Sequence, residues 1–561
     1  MSQGRWFLSA GAWAAPVLAL ACCAAIAGAP FTASAVATAD SYSAAAAGRI
    51  FAAGGNAVDA AAAMAFTLAV TYPEAGNLGG GGFMTIYMDG RPCFLDFRER
   101  APGAASATMF LDGEGRVIPG LSLYGCRSVG VPGTVSGLWE AHRRFGRLSW
   151  KQVLAPAIGL ARNGFTVSAQ LQQRRADAAG HFFGKTNFDQ YFGAMEQGAE
   201  FRQPELAATL ARIADQGARG FYRGRTAALF AAEMRRGHGL ITRADLKRYR
   251  AVWRDPILAD WHGYRVITAP PPSSGGIGLL QLLKMKAARS ADFAGVPLNS
   301  PQYVHLVAEL EKRVFADRAQ YLGDPDFHRI PVARLTDDAY LARRAAEVDP
   351  AAPSGTAGVL PGLGAEAPET THFSVVDKWG NAVSTTYTLN GYFGSGVVVA
   401  GAGFLLNDEM EDFSVKPGVA NLYGTVGSSA NAVAPGKRML SSMTPTILTR
   451  DGQVALVIGT PGGSRIFTTV FQVMTDIYDF HMGLTEALAA LRFHHQLLPA
   501  STIFWEPYLP ITGELAKALE ARGYVLRGQG WDGDVQVIRI NGGTPEAAAD
   551  PRGRGVTAFF K

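Results

Sequence analysis

Cysteine is scarce in this 561-residue chain: there are four, of which Cys22 and Cys23 lie in an N-terminal apolar segment and only Cys93 and Cys126 in the remainder. A disulfide framework is therefore excluded as the main support of the fold. The last two can pair in an oxidising compartment or stay as buried thiols. Charge is sparse as well, with 18% Asp, Glu, Lys and Arg, a net charge of +5 and no block of five or six like charges. This excludes a charged tail and the electrostatic footprint of a nucleic-acid binder; Arg143-Arg144, Arg235-Arg236 and Arg343-Arg344 read as solvated helix faces. Beyond the N-terminal segment no run of eighteen apolar residues occurs, so nothing there is long enough to span a bilayer as a helix. Neither Gly79 to Gly82 nor Thr460 to Ser464 continues into Gly-Lys-Ser/Thr, which excludes a phosphate-binding loop. Ile466 stands where a G-x-S-x-G elbow needs glycine. His494 and His495 are adjacent and do not converge on one ion, and no other acidic or histidine cluster has ligand spacing, so neither metal nor cofactor is expected.

What the chain does have is apolar content, 48%, and glycine, 66 residues. It can bury a large core built with tight turns and close backbone approaches. Arg5, the apolar run from Leu18 to Ala29 and the small residues Ala33-Ser34-Ala35-Val36-Ala37 form the pattern of a secretory signal peptide. The expected boundary is near Ala37, giving a leader at 1–37 and a periplasmic or secreted product. An uncleaved anchor is the competing reading, and a lipid-modified Cys22 or Cys23 a weaker third.

Periodicity predicts helices from about 42 to 70, interrupted near Gly54-Gly55, through most of 134–249, and over 301–322 and 337–347. Asp349 to Pro368 is a Pro/Gly/Ala-rich connector with little to pack. Beyond it strands are predicted over 371–377, 382–389, 444–449 and 454–458, then helices over about 464–479, 484–493 and 512–523.

The junction at Glu369-Thr370 carries the most information. A threonine hydroxyl is a poor nucleophile without an adjacent base, and its own free α-amine can be that base. Freeing that amine requires cleavage after Glu369. The first two strands beyond the connector meet at Lys378-Trp379-Gly380-Asn381, a glycine-containing hairpin signal. Nine residues either side of Trp379 stand Thr370 and Thr388, so antiparallel pairing sets one hydroxyl opposite the other; an ordinary Thr-Thr cross-strand pair explains the hairpin alone equally well. Thr460-Pro461-Gly462-Gly463-Ser464 follows an apolar strand and opens a helix, so its amides can stabilise an oxyanion, or it is merely a tight turn.

Together these segments resemble the γ-glutamyltransferase (γ-glutamyltranspeptidase) family of N-terminal-nucleophile hydrolases, over nearly the whole chain beyond the leader. In the first half the resemblance rests on Gly54-Gly55-Asn56-Ala57-Val58-Asp59-Ala60-Ala61, Gly79-Gly80-Gly81-Gly82-Phe83-Met84 and Asp96-Phe97-Arg98-Glu99 with Ala101-Pro102. In the second it rests on Thr370-Thr371-His372, Tyr387-Thr388-Leu389-Asn390, Asn407 to Phe413, Leu440-Ser441-Ser442-Met443 and Pro461-Gly462-Gly463-Ser464-Arg465. Arg100 is a departure, standing where a small or uncharged residue is expected.

The resemblance implies an α+β fold, a four-layer αββα sandwich built from both halves of a self-cleaved precursor, with a helix-rich large subunit at 38–369 and a strand-rich small subunit at 370–561. It implies that Thr370 is both cleaving residue and nucleophile, that Thr388 hydrogen-bonds its hydroxyl, and that Gly462 and Gly463 form the oxyanion hole. Arg98, Ser441 and Ser442 would hold the substrate's α-carboxylate, and Glu409, Asp412 and Asn390 its α-ammonium, at opposite sides of the pocket. Lys416 to Gly424 looks like a lid with Tyr423 closing over the glutamyl group. The implied substrates are glutathione and other γ-glutamyl amides, with water, amino acids or dipeptides as acceptors. Two alternatives stand beside this: a glutaryl-cephalosporin-type acylase on the same fold, and an uncut protein that only binds.

Overall fold

In the computed structural model, Met1 and residues 30–355, 370–416, 428–530 and 533–561 are described. Glu369, Tyr423 and the apolar part of the leader lie outside these residues. Two antiparallel sheets form the centre. Numbering only their strands, in chain order, these are β1 (Ser34–Thr38), β2 (Gly81–Met88), β3 (Arg91–Asp96), β4 (Val252–Arg254), β5 (Ile257–Trp261), β6 (Tyr264–Thr268), β7 (Thr371–Val376), β8 (Ala382–Thr388), β9 (Thr446–Arg450), β10 (Gln453–Gly459), β11 (Gln536–Asn541), β12 (Thr544–Ala549) and β13 (Val556–Phe560). The seven-stranded sheet runs β13-β1-β7-β8-β2-β3-β4, and the six-stranded sheet β12-β11-β10-β9-β6-β5.

The layers follow from period-2 alternation. Val36, Ile86, Val375 and Val383 face one way, into a core shared with the helices Ser41–Ala52 and Ala57–Thr71. Their neighbours Ala35, Ala37, Tyr87, Val376 and Ala382 face the other way, and meet Ile267, Ile447, Val457 and Ile538 of the second sheet. The reverse face of that sheet, with Val266, Leu448, Leu456, Ile458 and Val537, packs on the helices Gly275–Ala288, Pro301–Tyr321 and Ile466–Tyr478. The result is the four-layer αββα sandwich. Each sheet takes strands from both sides of Thr370, so neither half has a complete core alone.

Ala37, where the end of a leader was expected, is fully buried inside β1, paired with Ser374 on one side and Thr557 on the other. A cut there would remove four of the strand's five residues. The strands β2 to β6, over 81–96 and 252–268, fall where no strand was predicted. The 484–493 helix stops at Ala489, and Phe493–His494 is a short strand. The start of the connector is firmly held, because Glu309 accepts from the Ser354 amide at 3.2 Å and Lys312 donates to the Ser354 carbonyl at 3.1 Å. Cys93 and Cys126 are free thiols.

One contact ties the sheets together beside the site. Gly459, at the end of β10, lies against the His372 ring so closely that a Cβ there would overlap it. His372 is wholly buried, bonded to Thr386 Oγ1 at 2.8 Å, and its pKa is lowered to about 3 by burial. Gly459→Ala should destabilise the protein by about 1–3 kcal/mol through overpacking, seen as a lower thermal midpoint; an unchanged midpoint would contradict this packing.

Candidate active site

Thr370 is buried and immediately precedes β7. The β7–β8 register pairs Thr371 with Tyr387, and its next step sets Thr370 opposite Thr388. The loop between the strands is closed by Asp377, whose Oδ1 accepts from the amides of Trp379 at 3.0 Å and Asn381 at 3.1 Å. Gly380 adopts φ +88°, a left-handed conformation that suits glycine. On its far side Thr388 pairs with Gly81 of β2. Its Oγ1 accepts from the Asn390 amide at 2.8 Å, and its carbonyl from Asn77 Nδ2 at 2.8 Å.

The glycine run at 79–82 is the route from this strand to the charged residues. A Cβ on Gly81 would stand 2.7 Å from the Glu99 carboxylate, and Glu99 is the neighbour of Arg98. Arg98 is fully buried and forms ion pairs with Glu409 and Asp412, while Glu99 lies 3.5 Å from its Nη1. It also donates to the carbonyls of Met439 at 3.3 Å and Leu440 at 3.1 Å, just before Ser441-Ser442. Arg98, Glu409 and Asp412 are thus in direct contact and do not stand at opposite sides of a pocket.

Three carboxylates face one guanidinium in this cluster. Burial pushes the Glu409 pKa up to about 8, with Arg98 opposing and Asp412 adding to the rise. Burial likewise raises Asp412, against Arg98, and raises Glu99 strongly, with Glu409 adding to it. For Arg98 burial favours the neutral form, but Glu409, Asp412 and Glu99 outweigh it and hold the guanidinium charged. The cluster has an excess of acid suited to receiving a cation.

Backbone scaffolding holds these acids. Asn390, at φ +76°, donates from Nδ2 to the Asp408 carbonyl at 3.2 Å, and Asn407 Oδ1 accepts from the Glu409 amide at 3.0 Å. Asn431 bridges the two recognition segments, donating to the Asp412 carbonyl at 2.7 Å and accepting from the Leu440 amide at 3.0 Å. Arg100 points away from the cluster, donating to the Gly436 carbonyl at 2.7 Å.

Gly462 and Gly463 have φ of +141° and +57° and precede the helix Ile466–Tyr478. Among the described residues their amides have no protein acceptor. The Gly459–His372 contact brings this turn toward the end of the sandwich where Thr370 begins its strand. Thr460 pins it, since its Oγ1 accepts from the Asp534 amide at 2.9 Å. His494 is buried and bonded to Thr468 Oγ1 at 3.0 Å and Gln496 Oε1 at 3.1 Å. Among the described residues no group of three or more His, Cys, Asp and Glu is arranged to hold a metal ion, and no helix is long and apolar enough to cross a membrane.

Sequence reasoning gave no role to Asn77, Asn407 and Asn431, which act mostly on backbone atoms, Asn77 also accepting from Thr134 Oγ1 at 2.6 Å. It also missed Ser273 and Ser274. Ser273 donates to the Met443 carbonyl at 2.7 Å and Ser274 to that of Ser441 at 2.7 Å, cradling the Ser441-Ser442 segment. The run Pro270-Pro271-Pro272-Ser273-Ser274-Gly275-Gly276 was the available signal, an abrupt turn opening a helix.

An αββα sandwich with a strand beginning at a buried threonine, opposite a second threonine, is the architecture of the N-terminal-nucleophile hydrolases. Comparison with known proteins narrows the class. The family model described as gamma-glutamyltranspeptidase matches residues 43–560. A glutathione hydrolase proenzyme of Pseudomonas aeruginosa is 63% identical over 528 residues, with 94% of each chain covered. Among solved structures, a gamma-glutamyltranspeptidase from Pseudomonas nitroreducens complexed with L-DON is 60% identical, with a TM-score of 0.57 over 57% of this chain and 96% of that one. A cephalosporin acylase from Bacillus halodurans is 27% identical, with a TM-score of 0.80 over 95% of this chain and 96% of that one. The chain belongs to the γ-glutamyltranspeptidase family, and is an enzyme of that family.

The charge cluster has a testable consequence. A Glu409 pKa raised from 4.5 to about 8 means the folded state holds this proton more tightly than the unfolded one. Its contribution to stability is full below pH 4.5 and is lost as pH rises through 8. Glu409→Gln should therefore gain thermal stability relative to the parent between pH 5 and pH 8. A difference between the two proteins that does not change with pH would contradict the shift.

Proposed function

We propose that the protein cleaves itself between Glu369 and Thr370 and then transfers or hydrolyses the γ-glutamyl group of glutathione and related γ-glutamyl amides. The Arg98–Glu409–Asp412 cluster carries this reading, because it sets charges of both signs where one carbon would present both an ammonium and a carboxylate. Thr370 Oγ attacks the γ-carbonyl, and the freed α-amine accepts its proton. An α-amine has an ordinary pKa of roughly 7.7–8.0, close to the working pH. Gly462 and Gly463 amides stabilise the oxyanion. The charged amine then protonates the leaving amine, leaving a γ-glutamyl ester on Thr370. Water, an amino acid or a dipeptide resolves the ester with the same amine as base.

Thr388 orients the nucleophile in this scheme. Arg98, Ser441 and Ser442 hold the α-carboxylate, and Glu409, Asp412 and Asn390 the α-ammonium. Tyr423 and its loop, outside the described residues, are assigned to a lid over the acyl group. The proenzyme names of the relatives support processing, which the proposal assigns to the Glu369–Thr370 bond. Export to the periplasm or beyond belongs to the same proposal, with the leader ending before β1.

The acylase reading has in its favour the TM-score of 0.80 to the cephalosporin acylase and a 36% identical acylase ACY 1 proenzyme of Pseudomonas sp.. The excess of acid opposes it, since a glutaryl side chain brings a carboxylate and no ammonium. Two measurements decide. Mass spectrometry and N-terminal sequencing should find two fragments, the smaller beginning Thr-Thr-His-Phe, and Thr370→Ala should remain one chain; an intact parent would sink the proposal. A γ-glutamyl anilide should be cleaved in strong preference to a glutaryl anilide, and the reverse preference would transfer the protein to the acylases.

A further inference from the structure

Arg318 lies far from every recognition segment in sequence, near the end of the helix Pro301–Tyr321, yet its side chain reaches the back of the carboxylate site. It is 8% exposed. Its Nη2 donates to Ser442 Oγ at 3.1 Å and its Nε to Ser274 Oγ at 3.1 Å. Two serine hydroxyls thus share one guanidinium.

Counting donors shows what this does. A serine hydroxyl has one proton to give and two lone pairs to receive. Ser274 spends its proton on the Ser441 carbonyl at 2.7 Å. Ser442 Oγ lies 3.3 Å from Ser274 Oγ, a long contact for two hydroxyls. With Arg318 occupying a lone pair of Ser442 from behind, the Ser442 proton is best used on an acceptor arriving in the site. An incoming carboxylate is such an acceptor, and a charge-assisted chain from guanidinium through hydroxyl to carboxylate is stronger than a neutral one. Arg98 is engaged by Glu409 and Asp412. Arg318 places a second guanidinium behind Ser442. It also acts on Asp412, adding to Arg98 in opposing the rise that burial imposes on that carboxyl.

We infer that Arg318 is a positioning residue for the substrate's α-carboxylate: it sets the Ser442 hydroxyl to donate into the site and adds the cation that Arg98 alone does not provide. Ser274 is part of the device, anchoring the Arg318 guanidinium through Nε. This rests on the γ-glutamyl reading above. The guanidinium touches no reacting atom, so its effect is on binding and not on the chemical step.

The test compares Arg318→Gln and Arg318→Lys with the parent, after gel electrophoresis has established that each is cut into two fragments. For γ-glutamyl-4-nitroanilide, Arg318→Gln should raise KM about tenfold or more, in line with loss of a charged hydrogen bond, while kcat changes little. Arg318→Lys keeps the charge and should recover part of the loss. The 4-aminobutyryl anilide lacks only the α-carboxylate. Its binding, measured as competition whether or not it is turned over, should be the same in all three proteins. In a double-mutant cycle, Arg318→Gln with Ser442→Ala should cost no more than the worse single change. The inference is overturned if KM is unchanged, if kcat falls instead, or if both anilides are weakened equally, the last being the mark of general damage. Should Arg318→Gln fail to be cut, the same comparisons on Arg318→Lys decide. A parent that releases nothing from the γ-glutamyl anilide would count against the function proposed above, not against the role of Arg318.

Discussion

The rest of the molecule depends on how β7 is paired. It lies between β1 and β8 in the middle of the seven-stranded sheet, bonded on both edges. Because side chains alternate along a strand, a slip of one residue would exchange its two faces. The register therefore decides three things at once: Thr370 stands opposite Thr388, His372 meets Gly459 of the second sheet, and Val375 and Val376 enter different cores. A cut at Glu369-Thr370 would free the end of a strand that remains locked by its neighbours. In the proposed mechanism the Thr370 hydroxyl is thus placed before cleavage, and the cut supplies only the amine.

A second constraint comes from electrostatics. Burying Glu99 and Glu409, with Asp412 partly exposed beside them, around one guanidinium costs free energy, and the raised pKa of Glu409 expresses that cost. A structural ion pair would be better balanced. An arrangement short of positive charge makes sense where a ligand brings an ammonium, and the second guanidinium at Ser442 makes sense where the same ligand brings a carboxylate. Both groups act across helices and loops from distant parts of the chain. This is why segments on both sides of Thr370 must stay assembled for the site to keep its charges in place.

The candidate site residues that the sequence offered sit in short segments whose chemistry is local: the hairpin around Trp379, the glycine turn at 462–463, the acidic run at 409–412. The fold of the first half was harder. Gly81 and Gly82 read as loop because glycine weakens strands, but in β2 they are needed where Tyr387 and Glu99 press against the backbone. Ser34 to Thr38 has the small-residue composition of a leader's end, and only its pairing with β7 and β13 identifies it as a strand. Ser354 read as loose connector, since nothing in its own neighbourhood reveals that buried Glu309 and Lys312 wait for its backbone. Arg318 is hidden for the same reason, as one basic residue in a helix whose partners lie in two other segments.

The most direct test of the central claim, that Thr370 becomes the nucleophile, is to trap the ester. The protein would be mixed with a γ-glutamyl donor, quenched in acid within the first turnover, and its small fragment mapped by mass spectrometry. The account predicts one added glutamyl group, on the peptide that begins with Thr370 and on its side-chain oxygen. A glutamyl group on any other residue, or turnover with no covalent species at any quench time in a protein lacking the Thr370 hydroxyl, would contradict it.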